Sequence, residues 1–333
     1  MRASLHPFLV NGRFGDPALF VEVLHRRDAL LFDLGDLRPL STRDLLRIGH
    51  VFVSHMHMDH FIGFDALLRV NVGREKTIRI AGPEGLCDRL CHKLHGYEWD
   101  LVHRYATDLV FIATEIGASG PHRSARFHFK ERFEWREEPC PSWPLDAGEG
   151  LHVDAVLLEH HGPCIGYSLA ESAHANVWAN RLAEMGLAPG GWLKELKRAI
   201  LSGGADEQPI ELADHRVVPL GDLRHLVSIS TGQKIAYVTD VADTPANRSA
   251  IARSCEAADI LFIESRFAAA DADQARDRAH LTTRAAGEIA KAAQVRKVEP
   301  FHFSPRYEGE EERMLEEVRE AFTGRPAAAA LPV

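Results

Sequence analysis

The chain has no apolar run approaching the roughly 20 residues that cross a bilayer. Its first residues, Met1 to Pro7, contain neither an apolar stretch nor a cleavage pattern. No membrane span and no secretory signal are therefore expected. Cysteine is scarce: Cys87, Cys91, Cys140, Cys164 and Cys255 make five, an odd number without framework spacing. That excludes a disulfide scaffold and leads us to expect reduced thiols in a cytoplasmic protein. Positive charge is in deficit, with a formal net charge of −9 at pH 7. A surface coated with basic residues for nucleic acid is disfavoured, although a local basic patch is not excluded. Internal repeats are missing, as is a Pro/Gly/Ser linker long enough to separate domains. The material for a core is present, because 45% of the 333 residues are hydrophobic.

Strand-like and helix-like segments alternate along the chain. Phe8 to Val10 and Leu19 to Leu24 flank Asn11-Gly12, a hairpin signal. Ala29 to Gly35 reads as a strand whose end carries Asp33 and Gly35, and Ser41 to Arg47 as a short capped helix. Helices are expected over Phe61 to Arg69 and Glu84 to His95, with a strand at Lys76 to Pro83. Alternation over residues 108–161 suggests antiparallel strands. Residues 170–215 differ in character: Ala173 to Met185 reads as a helix, Ala188 to Gly191 breaks it, and Trp192 to Ile200 resumes. Strands return at Lys234 to Asp240 and Ile260 to Glu264, followed by a helix from Thr282 to Ala293, a strand ending at His302 and a helix from Glu308 to Phe322. One α/β domain over 1–323 is expected, with an inserted arm near 170–215 and a flexible Ala/Pro tail over 324–333.

The chemistry is concentrated in His55-Met56-His57-Met58-Asp59-His60, just after an apolar, β-branched run that reads as a buried strand. Imidazole and carboxylate are ligands that Zn²⁺ and similar dications accept. Three more candidates, His160, Asp240 and His302, each end a predicted strand, and strand ends at one sheet edge converge in space. Together the inventory is His55, His57, Asp59, His60, His160, Asp240 and His302, enough donors for two ions and a bridging water.

These segments resemble a known family. His-x-His-x-Asp-His is the signature of the metallo-β-lactamase superfamily, which implies an αββα four-layer sandwich. His160-His161-Gly162-Pro163-Cys164-Ile165-Gly166-Tyr167 is similar to a motif of ribonuclease Z, as are Ala279-His280-Leu281-Thr282 and His302-Phe303-Ser304-Pro305-Arg306-Tyr307. The resemblance implies His55, His57 and His160 on one metal, Asp59, His60 and His302 on the other, and Asp240 bridging them. It implies that Asp59 orients an attacking hydroxide and that Glu264 with His280 delivers a proton to the leaving oxygen. Ser304, Arg306 and Tyr307 are implied at the substrate, because guanidinium matches phosphate bidentately. The implied cofactors are two divalent ions, zinc first, with Mn²⁺ or Fe²⁺ accepted by the same donors. The implied activity is cleavage of the 3′ trailer of precursor tRNA by a homodimer.

The chain departs from the family at four places. Leu34-Gly35-Asp36-Leu37-Arg38-Pro39 replaces the family's Cys-Gly-Glu-Gly-Thr-Gln after Asp33. Met58 stands for a glycine and is expected to fill space beside the ligands. Ser265-Arg266 follows Glu264 where Ala-Thr is the rule. The arm offers Gly186 to Gly191 with Lys194, Lys197 and Arg198 as a counterpart of the family's tRNA-recognising segment. With the acidic balance, the changed loop keeps a second reading open: a hydrolase of the same fold acting on a cyclic nucleotide, another small phosphodiester or a lactone. Cys87, Cys91, His92 and His95 read as an ordinary helix face, and Asp33 as a structural acceptor that braces the metal loop.

Overall fold

The computed structural model describes residues 4–148 and 150–324. The N-terminal Met1 to Ala3 and nearly all of the expected tail lie outside the described residues. The main unit comprises residues 1–170 and 233–333 and carries two sheets. The larger sheet has eight strands in chain order, from Leu5–Leu9 to Trp135–Glu137. Its centre is parallel: Ala29–Phe32, Ile48–Phe52, Lys76–Gly82 and Leu109–Gly117 run the same way. The second sheet has six strands, three of them parallel: Lys234–Val238, Ile260–Glu264 and Val298–Phe301.

Three apolar clusters fill the three gaps of an αββα sandwich. Between the sheets, Leu19, Val21, Leu30, Phe32 and Phe52 meet Val153, Tyr167, Leu169, Tyr237 and Phe301. On the far face of the first sheet, Phe20, Leu31 and Val51 pack with Phe64, Leu67, Leu86 and Leu90 of the helices Phe64–Asn71 and Leu86–Leu94. On the far face of the second, Ala236, Val238 and Ile263 meet Ile251, Ala286 and Ile289 of Pro245–Ser254 and Thr283–Ala292. Alternate residues of one strand thus enter different clusters. That is why Ala29–Phe32 is apolar throughout and shows no two-residue pattern: both faces are covered.

A second compact unit, Glu171–Gly232, has its own core of Leu182, Trp192, Leu196, Ile210, Leu220 and Leu226. The helix expected over Ala173 to Met185 divides there. His174–Val177 is a strand paired with Val227–Ser230, and the helix is confined to Ala179–Glu184. The pairing partner lies some fifty residues on, so no local pattern announces it. The Asn11-Gly12 hairpin exists, but its strands Leu5–Leu9 and Leu19–Val23 are joined by a long loop in which Gly12 takes a positive φ of 65°.

Two hydroxyls tie the sheets together. Tyr167 donates to Val53 O at 2.8 Å, and Tyr237 donates to the Asp33 carboxylate at 2.8 Å. Both rings are buried. The last helix, Glu311–Thr323, approaches Gly287 closely enough that a Cβ there would stand 2.5 Å from Val318 O and 2.6 Å from Ala321 Cβ.

These contacts have consequences for stability. Ala for Gly in a free helix gains about 1 kcal/mol, but Gly287→Ala is expected to lower stability, because overpacking costs about 1–3 kcal/mol. A urea midpoint at or above that of the wild type would contradict the close approach. Tyr237→Phe removes a bond to a buried carboxylate and is expected to cost about 1.5–3 kcal/mol in the same denaturation experiment.

Candidate metal centre

The site gathers where strands end. The strand Ile48–Phe52 runs on through Val53, held by Ala81 O at 2.8 Å, and then turns. Asp33 fixes the turn: its carboxylate accepts from Ser54 N at 2.6 Å and from Ser54 Oγ at 2.8 Å. It also lies 2.8 Å from His60 Nδ1. A carboxylate that already takes donors is an acceptor for His60, so the ring's Nδ1 carries the hydrogen and Nε2 is left bare. The short helical turn Met58–His60 then brings the ring of His60 to 4.1 Å from that of His55. Asp33 is therefore the bracing acceptor that the sequence suggested.

Opposite this turn stand the ends of the second sheet's strands. His160, after Leu151–Glu159, donates through Nδ1 to Ala279 O at 2.8 Å, which points Nε2 inward. Its ring lies 5.6 Å from those of His55 and His57. His161 next to it is exposed, so His160 is the residue that faces the cluster. Asp240, after Lys234–Val238, is buried, and its Oδ2 lies 3.5 Å from His55 Nε2, 3.4 Å from His60 Nε2 and 3.8 Å from His160 Nε2. Its other oxygen is 2.8 Å from His302 Nδ1. One carboxylate thus touches imidazoles of both halves. Asp59 Oδ2 completes the far side, 3.7 Å from His60 Nε2 and 3.8 Å from His302 Nε2.

The donor atoms fall into overlapping groups within 4.8 Å of one another: His55, His57, His160 and Asp240; Asp59, His60 and His302; and Asp240, Glu264, His280 and His302. Nε2 of His55 and Nε2 of His60 are buried without a hydrogen-bond partner. Unpartnered buried nitrogens are costly, and a cation is what satisfies a cluster of inward lone pairs. The donors therefore fit a metal.

The electrostatics point the same way. Burial, reinforced by His60, pushes the His55 imidazole far below its ordinary pKa, so it stays neutral. Burial also tends to lower His60, but Asp33 and Asp240 outweigh it and draw a positive charge there. That charge is the one a bound cation would supply. Burial disfavours the Asp240 carboxylate, yet His302 and His60 hold it well below the ordinary range. Asp33, Asp240 and His302 have positive φ of 58°, 48° and 59°. Such strain in non-glycine residues is held only where the surroundings over-determine it, and here all three sit at the cluster.

Glu264 is fully buried at the end of Ile260–Glu264. Its Oε1 accepts from Val241 N at 2.7 Å, and Oε2 lies 2.9 Å from His280 Nδ1. Burial would lower the His280 pKa, but the Glu264 charge and hydrogen bond raise it above the ordinary value. The His280 ring is 4.8 Å from that of His160 and 5.8 Å from that of His302.

One sequence expectation differs from what the structure shows. Met58 is 76% exposed, so it points to solvent and does not fill space among the ligands. Tyr307 is buried with its hydroxyl on Asp271, a support for the turn after His302. Arg306 on that turn is exposed, bonds Gln274 and lies over the Phe267 ring at 5.4 Å, while Ser304 N donates to Arg266 O at 3.0 Å. One neighbour of the cluster went unassigned in the sequence. Arg266 Nη1 stands 2.6 Å from His302 Nε2. Its signal was the departure from the family pattern after Glu264.

Comparison with known proteins adds the lineage. No family model matches the chain. It is 34% identical over 307 residues to ribonuclease Z of Deinococcus radiodurans, covering 90% of this chain and 88% of the relative. Ribonuclease Z of Crocosphaera subtropica is 31% identical over 294 residues, covering 85% and 78%. Among solved structures, the short form of human tRNase Z superposes with a TM-score of 0.53 at 18% identity, covering 91% and 92%. A metallo-β-lactamase fold protein of Bacillus subtilis does so with 0.55 at 16% identity, covering 96% and 94%. The structures speak to the fold, and the sequences to descent. Identity of 34% across nine-tenths of its length, on this layered fold, places the chain in the ribonuclease Z family of metallo-β-lactamase-fold proteins.

Proposed function

We propose that the chain is a metal-dependent phosphodiesterase that cuts the 3′ trailer from precursor tRNA. The observation that carries the reading is the His280–Glu264 pair, held beside both His160 and His302. A phosphodiester releases an alkoxide that needs a proton, and an imidazole with a raised pKa can donate one near neutral pH. With Nδ1 bound to Glu264, His280 presents Nε2 as the donating atom. Relatives named ribonuclease Z and a neighbour named tRNase Z support the choice of substrate.

We assign His55, His57 and His160 to one divalent ion, Asp59, His60 and His302 to a second, and Asp240 to both. Zinc is the first choice, and Mn²⁺ or Fe²⁺ suits the same donors. Bound there, two ions would supply acidity to water and neutralise charge on the phosphoryl oxygens. Asp59, only partly buried, accepts a hydrogen bond from the attacking water and so orients it. Ser304 and Arg306 lie on the turn after His302, and Arg306 can take a phosphate in place of Gln274. No described helix is long and apolar enough to cross a membrane. The described cysteines are all unpaired, which suits a reducing cytoplasm, and we place the enzyme there as a homodimer.

One observation favours a smaller substrate. The loop after Asp33 closes on itself, with Arg38 Nε and Nη2 bound to Asp36 at 2.9 Å and 2.6 Å. The resemblance places this loop on the phosphate-facing side of the site, and the salt bridge gives it a different set of groups there.

A trailer-bearing precursor tRNA is expected to be cut at its 3′ side by metal-loaded protein, with cleavage lost on chelation and restored by Zn²⁺ or Mn²⁺. Turnover of bis(p-nitrophenyl) phosphate without any cut in the tRNA would instead assign the small-substrate reading. His280→Ala is expected to slow tRNA cleavage by about 10²–10⁴-fold while metal content is unchanged. It should affect bis(p-nitrophenyl) phosphate much less, since p-nitrophenolate leaves without a proton. Equal losses on both substrates would reject the acid role.

A further inference from the structure

Arg266 is placed with unusual firmness for a surface-derived cation. It lies two residues past the end of Ile260–Glu264, between the loop carrying His280 and the turn after His302. Ser265 N donates to Phe301 O at 2.9 Å, and Arg266 O accepts from Ser304 N at 3.0 Å. Phe267 N reaches Leu281 O at 3.3 Å, and Phe267 O accepts from Thr283 N at 2.8 Å. The backbone is thus pinned on both sides. The half-buried guanidinium reaches into the cluster, where its one hydrogen bond among the described residues is to His302 Nε2 at 2.6 Å.

That contact is chemically odd. Guanidinium nitrogens only donate, so His302 Nε2 must offer its lone pair to Arg266. The same nitrogen faces Asp59 Oδ2 at 3.8 Å, within the Asp59, His60 and His302 group. A lone pair serves one partner at a time, so a cation held by that group and Arg266 compete for it. The other group, His55, His57, His160 and Asp240, has no such competitor among the described residues. Among the described residues no carboxylate forms a salt bridge with Arg266, although Asp59 and Asp240 both flank the His302 ring it bonds. A half-buried guanidinium with no carboxylate partner at the edge of such a site is suited to an anion.

We propose that Arg266 is a substrate-binding residue that holds a phosphoryl oxygen, and that without an anion it caps His302 and weakens the second cation position. The proposal rests on the phosphodiesterase reading above. It makes the two metal positions unequal: one is preformed, and the other is completed when Arg266 turns from His302 to the phosphate.

The two roles move in opposite directions when the arginine is removed, which a merely structural residue would not do. In the full-length protein, Arg266→Ala is expected to bind the second Zn²⁺ about tenfold more tightly by calorimetry, because a competing hydrogen bond is gone. The zinc-saturated variant should bind dimethyl phosphate, an uncleaved diester probe followed by ³¹P NMR, about 10- to 100-fold more weakly. Arg266→Lys should recover part of the diester affinity, as a point charge without the fork. Weaker zinc binding in Arg266→Ala would show that the residue merely supports His302 and would overturn the proposal. Diester affinity unchanged from the wild type would overturn it too. Both failures leave wild-type cleavage of diesters intact, whereas a wild type that cleaves no diester would remove the functional reading beneath it.

Discussion

The structure depends on one buried carboxylate. Asp33 has no solvent exposure and accepts from Ser54 N, Ser54 Oγ and Tyr237 Oη, with His60 Nδ1 at the same oxygen. Tyr237 belongs to the second sheet; Ser54 and His60 lie on the turn that follows Ile48–Phe52 of the first. The same charge thus ties the layers together and sets the ring of His60. A buried carboxylate is tolerated only when its lone pairs are filled. Filling them here requires that the sheets be stacked and the metal turn be formed at once. Fold and site therefore share one interaction, and neither is complete without the other.

The second constraint is topological. In both sheets the parallel strands discharge their chains at one edge, and the functional residues follow directly: Ser54 to His60 after Ile48–Phe52, Asp240 after Lys234–Val238, Glu264 at the end of Ile260–Glu264, His302 after Val298–Phe301. Parallel strands need crossover helices, and the crossovers cover the outer faces. The edge is what remains open to substrate. Positive φ at Asp33, Asp240 and His302 shows the chain bending sharply as it leaves each strand. Regular hydrogen bonding up to that residue supports the bend, which explains how such strain persists in non-glycine residues.

Much of this was legible in the residues. Apolar runs such as Ala29–Phe32 marked strands covered on both faces, and Ser41 and Thr282 capped the helices they were expected to begin. The dense His/Asp segment announced a cation site before any fold was known. What failed did so for physical reasons. His174–Val177 is a strand because Val227–Ser230 pairs with it, and a distant partner leaves no local periodicity. Met58 faces solvent because the turn at Met58–His60 rotates it away from His57 and His60, and a residue list cannot show which way a turn rotates.

By itself the sequence determined the kinds of donor, their order along the chain and the apolar segments that stack two sheets. Those are local properties: ligand chemistry belongs to the side chain, and strand burial shows in the spacing of apolar residues. The tertiary structure alone decided how closely those donors approach one another. It set the distances from Asp240 to both groups of imidazoles and put Arg266 against His302. Such meetings join strand ends far apart along the chain, and the distances between those ends are set by packing.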